Sequence, residues 1–432
     1  MQSQTEPKWA AFAAIDWGDQ KHVWKMRPAD LTTDEGGELP HTPEAVDLWA
    51  SELARRFGER PVAVCLEQSR GALVYQLMKY PHLVLFPVAP TTSARFRGAF
   101  SPSGAKSDER DADVLLTLLL QHRRQLRPLR PDTEQTRHLQ YLVEQRRHMV
   151  DEKTRCSNRL TACLKQYFPQ VLEWFGDIDE PLPCAFVEHW PTLSAVQHSH
   201  PGTLRKFFHK HNCRSEPLIQ TRIDQIYAAT QAVLDNAIVQ AGCMQSRQLI
   251  ALIEVLRRNI GELEQVIEEL YSQHEDAFLY ASLPGAGAAL EPRLLVAMGT
   301  DRDRYQTVEE LQSYSGIAPV TQRSGKSEVV HFRYACPKFI RQTFQEFAQH
   351  SIQKSEWARA FYQRQRASGK GFHAAVRALA YKWIRILFRC WKNRQPYDEE
   401  RYLTSLQRRS SPLSQTEWKA AAGFQKLSVK FS

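Results

Sequence analysis

Apolar positions along the chain change their spacing twice, and each change marks a different kind of structure. Up to about residue 90 they form short runs of strand length, WAAFAAID, PVAVCLE and HLVLFPV, separated by segments with helical spacing. Residues 10–17 read as a strand ending at Asp16, Gly18 and Asp19 as a tight turn, and His22 to Met26 as a returning strand with His22, Trp24 and Met26 on one side. The Gly-Gly and Pro-containing stretch that follows reads as a loop. Thr42 is placed to N-cap a helix from Pro43 to Arg56, with Val46, Trp49 and Leu53 on one face. A strand at 61–66, a short helix from Ala72 to Tyr80, the strand HLVLFPV, a break at Pro90 and a helix at 108–121 complete this region. A hairpin followed by strands alternating with helices is the order of an RNase H-like mixed sheet, and the same order fits other α/β domains.

From Leu139 onward the pattern becomes long, polar, Arg-rich and helical. Leu249, Ile253, Leu256, Ile260, Leu263, Ile267 and Leu270 alternate steps of four and three, which is a heptad seam. It predicts an antiparallel coiled coil or helical hairpin whose partner is the stretch from Leu139 to Leu164, where Arg146 and Lys153 interrupt the apolar stripe. Between the two lies a less regular insert at about 165–235, carrying the basic cluster RKFFHKHNCR. Such clusters serve as a solvated face or as a nucleic-acid contact. A third region opens with LPGAGAALEPRLLVAMG, continues through GIAPVTQRSGKSEVVHFRY, which predicts a hairpin, and ends in helices. In the last of these, His373 to Trp391, an apolar face (Val376, Leu379, Ala380, Trp383, Leu387, Trp391) stands against a basic stripe of Lys382, Arg385, Arg389 and Lys392. Beyond Arg401 the expectation is a poorly ordered tail. The expected organisation is therefore α/β plus α: a mixed-sheet domain at 1–130, a coiled-coil arm with insert at 131–278, a mainly helical domain with a small hairpin at 279–402, and a flexible tail at 403–432.

Composition adds a partner to this picture. The 432 residues carry 57 Lys and Arg against 48 Asp and Glu, a net charge of +9, and ten Trp and fourteen Tyr supply planar groups that stack on bases. The eight cysteines form no C-x-x-C pair, so reduced, structural thiols are expected. The N-terminal MQSQTEPKW has no signal-peptide pattern, and no apolar run approaches the roughly 20 residues of a membrane span, so a cytoplasmic, soluble protein is expected.

The candidate chemistry rests on carboxylates. Asp16 and Glu67 each end an apolar run, while Asp108 and Asp111 are three apart at the start of a helix, hence on one face. Two divalent ions held roughly 3.5–4 Å apart need hard oxygen ligands converging from several elements, and strand ends supply that convergence. Alone, a D-x-x-D in a first helical turn is only capping and dipole compensation, and an acid at a strand end is a turn residue. Taken in order, strand Asp, strand Glu and helix D-x-x-D are what a resolvase-type nuclease site requires. Asp19, Glu109 and Asp113 fit it less well. Further on, P-G-A-G (284–287) is a weak candidate phosphate cradle. Ser324 and Gly325 in TQRSGKS read as a hairpin turn, with Arg323 and Lys326 placed to hold a phosphate if the serine is a nucleophile.

The motifs AAIDWG, CLEQSRG, AKSDERDADVL, LPGAGAALEPRLLVAMG with YSGIAPVTQRSGKS, and KSEWARAFYQRQRASGKGFHAAVRALAYKW resemble those of the DEDD transposases of insertion sequences, bridge-RNA-guided serine recombinases. The resemblance spans roughly residues 10–125 and 280–395. It implies a RuvC-like N-terminal domain, a coiled-coil arm and a C-terminal transposase domain. It also implies a Mg²⁺ site, two-metal where fully loaded, at Asp16, Glu67, Asp108 and Asp111, with Ser324 attacking DNA to form a phosphoserine intermediate. A structured noncoding guide RNA pairs with donor and target DNA in that family, and acids and serine come from different protomers of a tetramer, a dimer of dimers. Two departures stand out. Where the family carries K-G-N-x-x-L-R after the S-G turn, this chain has ACPKFIRQTF, so that only Lys338 and Arg341 correspond, and the insert at 165–235 is long. Ser327 is the alternative nucleophile. The rival readings are a hydrolytic RuvC-like nuclease or Holliday-junction resolvase using water, and a non-catalytic nucleic-acid-binding protein.

Overall fold

The first two apolar runs become neighbouring parallel strands. In the computed structural model, which describes residues 8–58, 60–100, 107–325 and 327–408, β1 (Ala11–Asp16) returns as the antiparallel β2 (Lys21–Pro28), with Asp16 opposite Val23. The Gly-Gly and Pro-containing stretch is not a loop. It forms β3 (Glu35–Pro40), antiparallel to β2. A polar, glycine-bearing edge strand shows no apolar alternation, which is why the pattern hides it. A Cβ at Gly37 would come within 3.3 Å of the Trp24 indole nitrogen. β4 (Val62–Leu66) pairs parallel with β1, and β5 (Leu83–Pro87) parallel with β4, giving a mixed sheet in the order β3-β2-β1-β4-β5.

Helices cover both faces of this sheet. Thr42 caps α1 (Pro43–Phe57), its hydroxyl accepting from the Ala45 N–H at 3.2 Å, and Gly58 closes the helix in the left-handed region. α2 (Ala72–Leu77) stops short of Tyr80, where the amides of Lys79 and Tyr80 bond three residues back. Both helices share a core with Ala13, Ile15, Val62, Val64 and Leu66. Pro90 is a start rather than a break. It is the first residue of α3 (Pro90–Phe100), where its missing N–H costs nothing, and the Ala89 carbonyl accepts from the amides of Thr92 and Ser93. α4 (Asp108–His122) begins at its N-cap Ser107 and packs on the other sheet face, with Leu115, Leu116 and Leu119 against Ala14, Ala63 and Cys65. The chain divides into two compact units at this level, the first ending at Pro131 and the second starting at Asp132.

In the second unit the heptad seam forms as its spacing predicts. α5 (Glu134–Tyr167) and α11 (Asn236–Ser272) lie side by side. Gln135 bonds Leu270, Arg146 bonds Glu264 and Cys163 bonds Ser246, so the partner numbers fall as the others rise and the pair is antiparallel. The two cations that interrupt the stripe are paired, Arg146 with Glu264 and Lys153 with Asp179. Gly242 lets the helices close: a Cβ there would sit 2.4 Å from the Tyr167 ring.

The insert is more regular than its sequence suggests. It folds as α6 (Gln170–Trp174), α7 (Pro181–His189), α8 (Leu193–Gln197), α9 (Pro201–Lys210) and α10 (Glu216–Ala228) around a core in which an aromatic cluster of Phe168, Trp174, Phe175, Phe186, Trp190 and Phe208 is set among aliphatic side chains. In the basic cluster, Phe208 is fully buried and stacks on Phe186, while Arg205 and His209 pair with Glu216. The remaining helices are α12 (Ala277–Ala281), α13 (Gly287–Met298), α14 (Val308–Tyr314), α15 (Lys338–Lys354), α16 (Glu356–Ala367) and α17 (Phe372–Asn393). They pack around Phe344, Phe347, Trp357, Trp383 and Trp391, together with Leu139 and Val143 of α5. The three indole N–H groups of this core have acceptors: Trp357 the Tyr397 hydroxyl, Trp383 the Ser351 hydroxyl and Trp391 the Gly299 carbonyl. Beyond Arg401, where a poorly ordered tail is expected, α18 (Glu399–Arg408) continues the fold, and the rest of that stretch lies outside the described residues. All eight cysteines are free thiols, and among the described residues no helix is long and apolar enough to cross a membrane.

Candidate active site

Strand alternation decides which way the two strand-end acids face. In β1, Ala13 and Ile15 belong to the core under α1 and α2, whereas Ala14 belongs to the core under α4, so Asp16 follows Ala14. In β4 the same alternation puts Ala63 and Cys65 under α4, and Glu67 follows them. Ile15 and Leu66 are in register, so the two acids stand at the same end of adjacent strands, on the face that α4 covers. Burial and the charge of Glu67 push the Cys65 thiol up to about 12, which keeps it protonated and inert.

The third and fourth acids open α4. The Ser107 hydroxyl accepts from the Arg110 amide, fixing the first turn, in which Asp111 is 5% exposed and Asp108 points to solvent. Asp113 is turned to β2, where it pairs with Lys25 at 2.6 Å.

The helix that sequence reasoning missed supplies the partners of two of these acids. Ser93 and Arg97 are four apart on α3, hence on one face. The Ser93 hydroxyl donates to Glu67, and the Arg97 guanidinium pairs with Asp111. Ser93 is itself 4% exposed, and its hydroxyl also lies 3.0 Å from the Pro90 carbonyl. A proline read as a helix start, followed by Ser and Arg at helical spacing, is the signal that would have found them. With Glu67 and Asp111 turned to α3, no three of the His, Cys, Asp and Glu side chains among the described residues gather as a metal-ligating group.

The turn beyond Asp16 is held from both sides. A Cβ at Gly18 would fall 2.1 Å from the Lys21 carbonyl oxygen, and the Gly18 amide donates to the ring of buried His22 at 3.2 Å. Burial, and then neighbouring His41, hold the His22 imidazole down to about 4, so it stays neutral and accepts that bond.

In the second unit, β6 (Val320–Ser324) and β7 (Ser327–His331) form the expected hairpin, with Ser324 opposite Ser327 and Gly325 left-handed at φ 56°. Both serines are exposed. Arg323 pairs with Glu328 at 3.0 Å, while Lys326 lies outside the described residues. Gly285 of P-G-A-G serves packing: it is left-handed, and a Cβ there would meet the His350 carbonyl oxygen at 2.8 Å. The basic stripe of α17 divides. Lys382 lies over the Trp357 and Phe361 rings, where burial lowers it to about 8, and Lys392 donates to the Arg302 carbonyl, leaving Arg385 and Arg389 exposed.

Two family models match the chain. The DEDD model of IS110, described as a transposase, covers residues 13–169, from β1 through the four acids and along α5. The model described as transposase of the IS116/IS110/IS902 family covers residues 279–363, which include the Ser324 hairpin. The chain belongs to the IS110 family of transposases. Relatives of the family match most of its length. A mini-circle putative transposase for IS117 from Streptomyces coelicolor is 27% identical over 416 residues, covering 93% of this chain and 98% of that protein. The insertion element IS110 43.6 kDa protein of the same organism is 27% identical, covering 81% and 86%. The insertion element IS900 42 kDa protein of Mycobacterium paratuberculosis is 23% identical, covering 79% and 84%. Family membership identifies an enzyme that cleaves and recombines DNA.

Proposed function

We propose that this transposase is a Mg²⁺-dependent, RNA-guided DNA recombinase that works through a phosphoserine at Ser324, and that its first unit is an RNase H/RuvC-like domain. What carries the reading is the placement of the acids. Asp16 and Glu67 end neighbouring parallel strands on the face covered by α4, and the first turn of α4 holds Asp108 and Asp111. These four supply hard oxygen donors that suit Mg²⁺. The Arg97 guanidinium on nearly buried Asp111 marks a place that already demands a positive charge. Bound there, Mg²⁺ supplies charge stabilisation for phosphate and leaving oxygens. On this reading α3 is a resting clasp: Asp111 and Glu67 would hold a metal only with Arg97 and Ser93 turned away from them.

Ser324 supplies the nucleophile. Its Oγ–P bond forms as a P–O bond to deoxyribose breaks; the hydroxyl proton passes to water, and the departing oxygen takes up a proton. A second strand's hydroxyl then reverses the step, joining DNA and freeing the serine. The phosphoester conserves bond energy, so exchange needs no nucleotide triphosphate, in keeping with the lack of a G-x-x-x-x-G-K-[ST] sequence. Sequence choice is delegated to a structured noncoding RNA, and acids and serine cooperate within a dimer of dimers. The test incubates the purified chain with that RNA, donor DNA and Mg²⁺, then resolves the products under denaturing conditions. A protein–DNA adduct absent in Ser324→Ala supports recombination; nicked DNA with no adduct makes the protein a hydrolytic nuclease; no change in the DNA makes it a binder.

A further inference from the structure

β7 hands the chain to Phe332, and that ring carries two guanidinium groups. Arg341 of α15 lies 4.8 Å from its centroid and Arg377 of α17 lies 4.3 Å from it. Two like charges on one ring repel, and burial together with Arg341 weakens the hold of Arg377 on its proton. Three inward arginines of the same helical region meet acids: Arg293 pairs with Glu346, Arg302 with Asp276 and Arg304 with Asp132. Among the described residues this pair meets none. Arg341 donates to the Arg333 carbonyl at 3.3 Å, and the buried Nε of Arg377 has no acceptor. Each arginine sits in the first two turns of its helix, and neither helix has an acid in its first turn. The local field is positive, and the missing component is an anion.

We propose that Arg341 and Arg377, stacked on Phe332, clamp a backbone phosphate of the DNA strand that runs along the hairpin to Ser324. Two observations favour a polynucleotide over a small anion. Tyr334 is 80% exposed and meets Phe332 edge-on at 4.9 Å, which leaves its face open for a base. The hairpin also leads from this ring to the Ser324 turn. From Ser327 to Phe332 is about 16 Å at strand rise, so the clamp grips a phosphate several nucleotides from the one Ser324 attacks. Planar guanidinium forks hold such an oxygen pair bidentately, and the ring beneath keeps both from swinging away. The assignment to DNA rests on the proposed role of Ser324; the anion site itself does not.

The test uses the full chain carrying Ser324→Ala, so that covalent capture plays no part. Binding of a fluorescein-labelled single-stranded DNA oligonucleotide and of RNA of the same sequence is followed by anisotropy across a salt series. R341Q/R377Q is expected to bind the DNA roughly tenfold more weakly at physiological salt, with a log K against log salt slope smaller by about 0.7 for the one phosphate lost. R341K/R377K keeps the charges and most of that slope. Tyr334→Ala, too exposed to unfold the chain, is expected to weaken DNA binding at least roughly fivefold, which decides the matter should the double glutamine variant fail to melt cooperatively. Unchanged DNA affinity and slope in the double variant, unchanged affinity in Tyr334→Ala, or a loss confined to RNA would each overturn the proposal. Absence of an adduct in the unsubstituted chain would instead sink the Ser324 reading and leave these slopes to be read.

Discussion

Replacing Arg97 by Met separates the clasp on the acids from the acids themselves. Asp111 is almost fully buried, and breaking a buried pair costs up to about 3–5 kcal/mol where the remaining charge is left wholly uncompensated. The Arg97 side chain is 27% exposed, so water already screens part of that interaction, and about 2 kcal/mol is the working figure. In a unit of this size each kcal/mol moves the midpoint by roughly 3–5 °C, so Arg97→Met should melt about 6–10 °C lower in chelator. Mg²⁺ reverses the order of events. In the parent it must displace Arg97, whereas in the variant that guanidinium is absent, and at a hundredfold its Kd it returns about 2.7 kcal/mol. Calorimetry of both proteins, with chelator and with a Mg²⁺ series, reads the difference, and isothermal titration should show the variant binding Mg²⁺ more tightly. If the two melt alike in chelator, or if Mg²⁺ stabilises both equally, Arg97 is not guarding a metal site.

The buried imidazole predicts a pH response. His22 protonates near 6.5 in the unfolded chain and only at about 4 in the folded one, so stability is complete above 6.5 and is lost as pH falls towards 4, by roughly 2–3 kcal/mol. Acid titration of the melting midpoint should show that slope, and His22→Asn should flatten it. Two glycines offer a packing contrast. Gly285→Ala meets the His350 carbonyl in a left-handed conformation and should cost about 3 kcal/mol, whereas Gly369→Ala, left-handed in open space, should cost only about 1 kcal/mol in urea unfolding. Ser93→Ala removes the donor to Glu67, and stability should fall by about 1 kcal/mol, read as a lower melting midpoint that Mg²⁺ restores as in Arg97→Met.

What the sequence reveals follows the range of the interactions involved. Thr42 and Ser107 announce their helices because capping is local, and the Leu249 to Leu270 seam announces its partner because a heptad has one way to bury itself. Asp16 and Glu67 are readable because strand period and strand end are both written within a few residues. Pro90 misleads, since a proline stops one helix and starts another with equal ease, and α3 is lost with it. The pairing of Arg97 with Asp111, fourteen residues on, and of Ser93 with Glu67, twenty-six back, depends on packing that no window displays. β3 is lost for a different reason: an edge strand with polar ends and two glycines carries no alternation to read. The insert looks irregular because its helices are short, and only their shared apolar core makes them a body.

On the proposed chemistry Ser324 takes the DNA phosphate, and the chain carries a convenient label for it. Trypsin cuts after Arg323 and Lys326, so Ser324 leaves in the tripeptide SGK and Ser327 in SEVVHFR. Mass spectrometry of the nuclease-trimmed, trypsin-digested reaction should find the nucleotide on SGK. A nucleotide on SEVVHFR, or strand exchange with both peptides unmodified throughout, would contradict the account.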